Sequence, residues 1–156
     1  MAAPSRDGRA AEAGSPETRR VLAFTIGARE FGLLLDPIVE IIRYGGATPI
    51  PHPEAAIEGI LPLRGRMVTL LDVRRFLNRP ERSSGSLAQV IVVETSGDLL
   101  GLVVDVVTRV MTASAAPEPL ETVEDLDRPG LFEGVVRSGD GEVVLLDLEA
   151  ILAGIA

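Results

Sequence analysis

The side chains able to do acid–base or nucleophilic chemistry are few, and their spacing says more than their number. Aspartate recurs in two matched pairs, Asp36 with Asp105 and Asp72 with Asp147, one member of each pair in each half of the chain. One aspartate from each half of a duplicated protein is the arrangement in which two carboxylates share a proton and activate water. That chemistry goes with Asp-Thr-Gly or Asp-Ser-Gly, whereas here Val73-Arg74 and Leu148-Glu149 follow. A strand-end or helix-capping role, with the carboxylate accepting from free backbone N–H groups, accounts for all four residues more simply. A site for a hard cation is the remaining alternative. His52 is the only histidine, and it lies in the proline-rich Thr48-Pro49-Ile50-Pro51-His52-Pro53 with no Gly-x-Ser-x-Gly elsewhere, so it reads as a solvated loop residue. Ser83-Ser84-Gly85-Ser86 and Ser138-Gly139-Asp140-Gly141 match neither phosphate-loop nor dinucleotide patterns and read as linker and hairpin turn.

Arg64 is placed differently. Gly59-Ile60-Leu61-Pro62-Leu63 leads into Arg64-Gly65-Arg66, and Met67-Val68-Thr69-Leu70-Leu71-Asp72-Val73 leads out, which spells strand, tight turn, strand. Gly65 supplies the positive φ that such a turn needs. A tip arginine is ordinarily solvated, but its guanidinium can also pair bidentately with a carboxylate on a partner. The same plan returns in Gly134 to Leu148, where a glycine again opens the first strand and Leu-Leu-Asp closes the second, but without the arginine–glycine tip. Any role for Arg64 therefore belongs to the first copy alone.

The elements that carry these residues are predominantly β. Val21–Ile26 and Phe31–Leu35 form a hairpin about Gly27-Ala28-Arg29-Glu30. Asp36-Pro37 interrupts it, and Ile38–Ile42 resumes as strand, with a helical turn at 36–39 as the competing reading. The prolines at 49, 51 and 53 force an extended connector, Glu54–Glu58 fits one helical turn, and Val73–Leu77 fits a short helix stopped by Asn78-Arg79-Pro80. The second half repeats the first: Gln89–Glu94 corresponds to the first strand, and Leu100–Asp105 lies over Phe31–Asp36 at an offset of 69 residues (105 − 36). Asp147 follows Asp72 by 75 (147 − 72), so the six extra residues fall in the Pro-, Glu- and Asp-rich connector between Met111 and Leu131, read as a longer exposed loop. Copies spanning about 21–77 and 89–152, joined by a hinge at 81–88, predict two small barrels or curled sheets packed on a shared apolar interface, with a groove between them as the place for a partner. Residues 1–19 lack periodicity and read as a disordered tail ahead of a domain over 20–156. Ile38, Ile41, Val107 and Val110 read as core, or else as an exposed apolar groove rimmed by Glu40 and Arg109.

Composition narrows the function. The 156 residues are 46% hydrophobic, with one tyrosine, four phenylalanines and no tryptophan, so the core is aliphatic. All 15 basic residues are arginine and cysteine is absent, which excludes disulfides, thiol catalysis, Schiff-base lysines and a phosphate-loop lysine. A single histidine excludes a multi-histidine metal site. A net charge of −8 argues against a nucleic-acid partner. No apolar run approaches the roughly 20 residues of a membrane span, and the N-terminus carries no secretory signal, so direct membrane insertion is not expected and the cytoplasm is the default location.

From about Val21 to Leu152 these residues resemble the CheW-like chemotaxis coupling proteins. The resemblance runs through Phe24-Thr25-Ile26-Gly27, Phe31-Gly32, Ile38 with Glu40-Ile41, Pro51, Ile57-x-Gly59, Leu63-Arg64-Gly65, Leu71-Asp72, Gly101-Leu102-Val103-Val104-Asp105, and Gly134 with Leu146-Asp147-Leu148. It implies two interleaved five-stranded SH3-like barrels with short helices. It also implies a cofactor-free, non-catalytic adaptor between the cytoplasmic tips of methyl-accepting chemoreceptors and the regulatory domain of a CheA-type histidine kinase, placed at membrane-associated receptor arrays. Arg64, with Gly65 and Gly59 in its hairpin, then matters for signalling assembly. Ile38, Glu40, Ile41, Val107 and Val110 belong to the partner-binding surface, with Ile38, Val107 and Val110 in the apolar groove that takes the receptor's helical hairpin. The chain is a divergent member: Pro62 stands where the family carries asparagine, Thr69 where proline is usual, and Ala56 where a larger apolar residue is common. The alternative from another class is a small-ligand or metal-binding sensor that uses the groove between the two copies.

Overall fold

In a computed structural model the described residues are 18–80, 87–113, 116–120, 126, 128–139 and 141–155. The expected hinge at 81–88, most of the N-terminal tail, part of the 111–131 connector and the second hairpin's Asp140 lie largely or wholly outside them. Ten strands follow in order: β1 Arg19–Ile26, β2 Arg29–Leu34, β3 Ile38–Arg43, β4 Ile57–Leu63, β5 Arg66–Asp72, β6 Gln89–Thr95, β7 Asp98–Val104, β8 Val106–Ala113, β9 Phe132–Ser138 and β10 Gly141–Leu146. Helix α1, Val73–Phe76, follows β5, and helix α2, Leu148–Ile155, follows β10.

The strands form two five-stranded sheets, ordered β8-β1-β2-β10-β9 and β3-β6-β7-β5-β4. Replacing each strand by its counterpart in the other copy turns one order into the other, so the repeat in sequence is a two-fold in structure. The copies are interleaved. β1 and β2 of the first copy pair with β8 and β10 of the second, whereas β3 to β5 join β6 and β7. We call the sheet holding both chain ends the terminal barrel and the other the central barrel. The central barrel's outer strands are tied across the seam by the antiparallel bridge of Thr48 with Ile60 and by the Tyr44 hydroxyl donating to Glu58. Glu118 bridges Val135 at the equivalent seam.

Three apolar clusters explain why the strands read as nearly unbroken hydrophobic runs. Val21, Ala23, Met111, Val136, Val143 and Leu145 fill the terminal barrel, and Val68, Leu70, Val90, Val92 and Val103 fill the central one. Between the barrels lies the largest cluster, with Phe24, Phe31, Leu33 and Leu146 from one side and Leu71, Phe76, Ile91 and Leu102 from the other. Phe31 stacks on Phe24 and Phe132 with centroids 6.3 and 5.8 Å apart. A strand such as β7 is thus buried on both faces, and strict alternation disappears. This middle layer is the shared interface that the repeat predicts.

Local differences from the sequence reading have simple causes. β1 begins at Arg19 rather than Val21, because Arg19 and Arg20 pair with Ala113 and Thr112. β2 starts at Arg29, since Gly27-Ala28 alone makes the turn. The helical turn expected at 54–58 is shorter: Ile57 N–H donates to the Glu54 carbonyl at 3.1 Å, and Ile57 and Glu58 already belong to β4. Ile38 combines both readings of its segment, as its N–H closes a turn onto Leu35 at 3.0 Å before β3 runs on as strand.

Candidate functional site

The β4–β5 turn contains only Arg64 and Gly65, between the paired Leu63 and Arg66. Their φ values are 51° and 80°, both left-handed as a type I′ turn requires. Pro62 is tolerated in β4 because that strand is the outermost of its sheet and needs no further donor. Gly59 has a different task. It sits at φ 147°, and a Cβ there would come within 2.1 Å of the Thr48 carbonyl oxygen, so only glycine lets the seam segment lie across β4. Gly134 repeats this under Glu118, with φ 154° and a 2.4 Å approach.

Arg64 is not a free cation awaiting a partner's carboxylate. Its guanidinium meets Glu40 of β3 bidentately, Nη1 to Oε1 at 2.5 Å and Nη2 to Oε2 at 3.0 Å. The pair spans the seam between the central barrel's two outer strands. Its side chains are 73% and 21% exposed, so the guanidinium is fixed in direction yet remains largely open to solvent. Arg66, on the same hairpin, reaches the Gly97 carbonyl at 2.7 Å and Glu94 at 3.4 Å.

The four apolar candidates form two pairs related by the internal two-fold, Ile38 with Val107 and Ile41 with Val110. Ile38 and Val107 are half-buried against the middle cluster. Ile41 and Val110 face outward, 39% and 46% exposed, beside the exposed Val39 and Val106. The expected rim residue Arg109 instead pairs with Glu30 at 3.1 Å. None of these residues lines the clefts found at the barrel junction.

The repeated aspartates divide by role. Asp72 accepts from the Arg74 N–H at 3.1 Å and caps α1, and Asp147 accepts from Glu149 and Ala150 at 3.1 and 3.2 Å and caps α2. Asp105 takes Nε and Nη2 of Arg74 at 3.0 and 2.5 Å and the Gly27 N–H at 2.7 Å, tying the two barrels together. Sequence reasoning missed this clamp. Its one visible signal is the asymmetry of Arg74 against Glu149 at equivalent repeat positions. Among the described residues no group of three or more histidine or acidic side chains is arranged to hold a metal, and no helix is long and apolar enough to cross a membrane.

Comparison with known proteins agrees with this architecture. The family model described as CheW-like domain matches residues 20–156. The chain is 30% identical over 146 residues to the chemotaxis protein CheW of Klebsiella aerogenes, covering 90% of this chain and 86% of that protein. It is 29% identical over 148 residues to the protein FrzA of Myxococcus xanthus, covering 92% and 91%. The crystal structure of the scaffolding protein TtCheW from Thermoanaerobacter tengcongensis is similar with a TM-score of 0.73 at 25% identity, covering 83% of this chain and 88% of that one. Two interleaved barrels, a capped short helix closing each copy and a match over nearly the whole described chain place it in one family: the chain belongs to the CheW-like domain family, whose members are non-catalytic scaffold proteins.

Proposed function

We propose that this protein is a cytoplasmic adaptor that couples the tips of methyl-accepting chemoreceptors to the regulatory domain of a CheA-type histidine kinase at membrane-associated arrays. The family match over residues 20–156 carries the reading. Two surface features support a division of labour. The exposed Arg64–Glu40 pair, held by the Arg64-Gly65 turn and by Gly59, offers a directed polar contact for assembly. Ile41 and Val110, backed by the half-buried Ile38 and Val107, offer apolar anchors for a receptor helical hairpin. Pro62 and Thr69, on the two strands of this hairpin, depart from the family pattern and fit a divergent paralogue serving a specialised array. Pull-down of the full chain with the cognate kinase regulatory domain and receptor tip tests the proposal. Capture of both supports it, and binding to neither refutes it.

A further inference from the structure

The internal two-fold generates two junctions between the barrels, and they are not alike. At the first, Asp105 holds the Arg74 guanidinium through two contacts of 3.0 and 2.5 Å and accepts the Gly27 N–H at 2.7 Å, while Arg74 Nη1 reaches the Pro80 carbonyl at 2.5 Å. The cleft left around this filled site measures about 430 Å³. At the second, Asp36 occupies the place of Asp105, Ser96 that of Gly27 and Glu149 that of Arg74. The turn is conserved in shape, with φ 51° at Ser96 against 63° at Gly27. The cation is gone. Asp36 is exposed and makes no ion pair or hydrogen bond among the described residues, and the cleft beside it, which Pro37, Ser96 and Glu149 help to line, measures about 690 Å³.

We infer that this open junction, between Leu34–Pro37, the β6–β7 turn and the start of α2, takes an arginine side chain carried on an apolar segment of a partner protein. Leu33, Leu34, Pro37, Leu146, Leu148 and Leu152 give the cleft apolar walls, and Glu133, Asp147 and Glu149 add carboxylates at its edge. Arg19 stands 3.7 Å from Glu133, while among the described residues Asp36 and Glu149 have no ion pair. The filled junction shows which group the second one is shaped for, a planar guanidinium that can satisfy a carboxylate bidentately and still lie against hydrocarbon. A second copy of this chain brings a net charge of −8 to an already acidic face, so the occupant is a partner of opposite charge. The surface is separate from Arg64, and its fate does not depend on the kinase contact proposed there.

The test is an amide-resolved NMR titration of the full chain with acetyl-Leu-Arg-Leu-amide, with the lysine and glutamine analogues as controls. Shifts are expected at Asp36, Ser96, Glu149 and Leu152, with the arginine peptide binding about fivefold or more tighter than the lysine one. They should persist in Arg64→Gly and weaken in Asp36→Asn. Glu149→Arg is expected to fill the cleft from within as Arg74 does, abolishing the peptide shifts and raising Tm by about 2–4 °C, a gain lost on adding Asp36→Asn. Equal binding of the glutamine peptide, shifts elsewhere, or no shifts at all would overturn the inference. So would shifts at these residues that grow with protein concentration alone, since they would make a second copy the occupant.

Discussion

Replacing Arg64 separates what the hairpin tip does for the fold from what it does for a partner. Arg64→Ala removes both contacts to Glu40, but the arginine is 73% exposed, and a solvent-screened pair of this kind contributes only about 0.2–1 kcal/mol. Arg64→Gly removes the same pair and also relieves a non-glycine residue at φ 51°, worth roughly 1–2 kcal/mol. Glycine should therefore be as stable as the parent or slightly more so, and alanine slightly less. At roughly 2–4 °C per kcal/mol for a chain of this size, Tm should fall by no more than about 4 °C for alanine and hold or rise for glycine. Binding should move the other way. If the guanidinium is a central anchor, both variants should lose about 10- to 100-fold in affinity for the kinase regulatory domain, read by surface plasmon resonance. Glu40→Gln, which frees the arginine without removing it, should cost less, and should add nothing to Arg64→Gly. Unchanged affinity in both Arg64 variants would refute a binding role. A Tm loss above about 8 °C would show that the pair holds the seam closed and that exposure misjudges it.

Three further outcomes follow from the same geometry. Gly59→Ala should destabilise by about 3 kcal/mol in urea unfolding, because its Cβ meets the Thr48 carbonyl at 2.1 Å, and Gly134→Ala should behave alike at its own seam. Arg74→Ala should cost about 2–4 kcal/mol, since the Arg74–Asp105 pair is only 13% and 15% exposed and the abandoned carboxylate stays half-covered; Asp105→Asn made together with it should recover part of that loss. Val110→Asp and Ile41→Asp should abolish receptor-tip capture at unchanged Tm, while Ile38→Asp, facing the middle cluster, should lower Tm as well.

The repeat was readable because strand and turn recur at an offset of 69 residues and Leu-Leu-Asp at 75, and with it came the element order and both capping aspartates. The exchange of strands between copies was not readable from periodicity. β1 through β5 and β6 through β10 present the same apolar pattern whether a barrel forms within one copy or across two. The resemblance to a known family supplied that choice. Likewise Gly59 could be seen as the residue opening a strand, but its reason, the passage of Thr48 over it, depends on a contact between residues 11 apart on a seam that sequence does not display. Arg64 was visible as a turn residue, while its partner Glu40 lies 24 positions away on another outer strand. The Arg74–Asp105 clamp was hidden for the same reason, as 31 residues separate two ordinary charges.

The interleaving also sets an order of assembly. All five strands of the central barrel lie in the unbroken stretch from Ile38 to Val104, whereas the terminal barrel needs Arg19 to Leu34 from the beginning and Val106 to Leu146 from the end. During synthesis the central barrel can close as soon as β7 has emerged. β1 and β2 must wait, with their hairpin's apolar faces uncovered, until β8 and β10 arrive to flank them. The longest-range pairing is thus that of β2 with β10, Phe31 opposite Val144 and Gly32 opposite Leu145, and a chain cut short after β7 would keep one barrel and expose the aromatic face of Phe24 and Phe31 meant for the middle of the molecule.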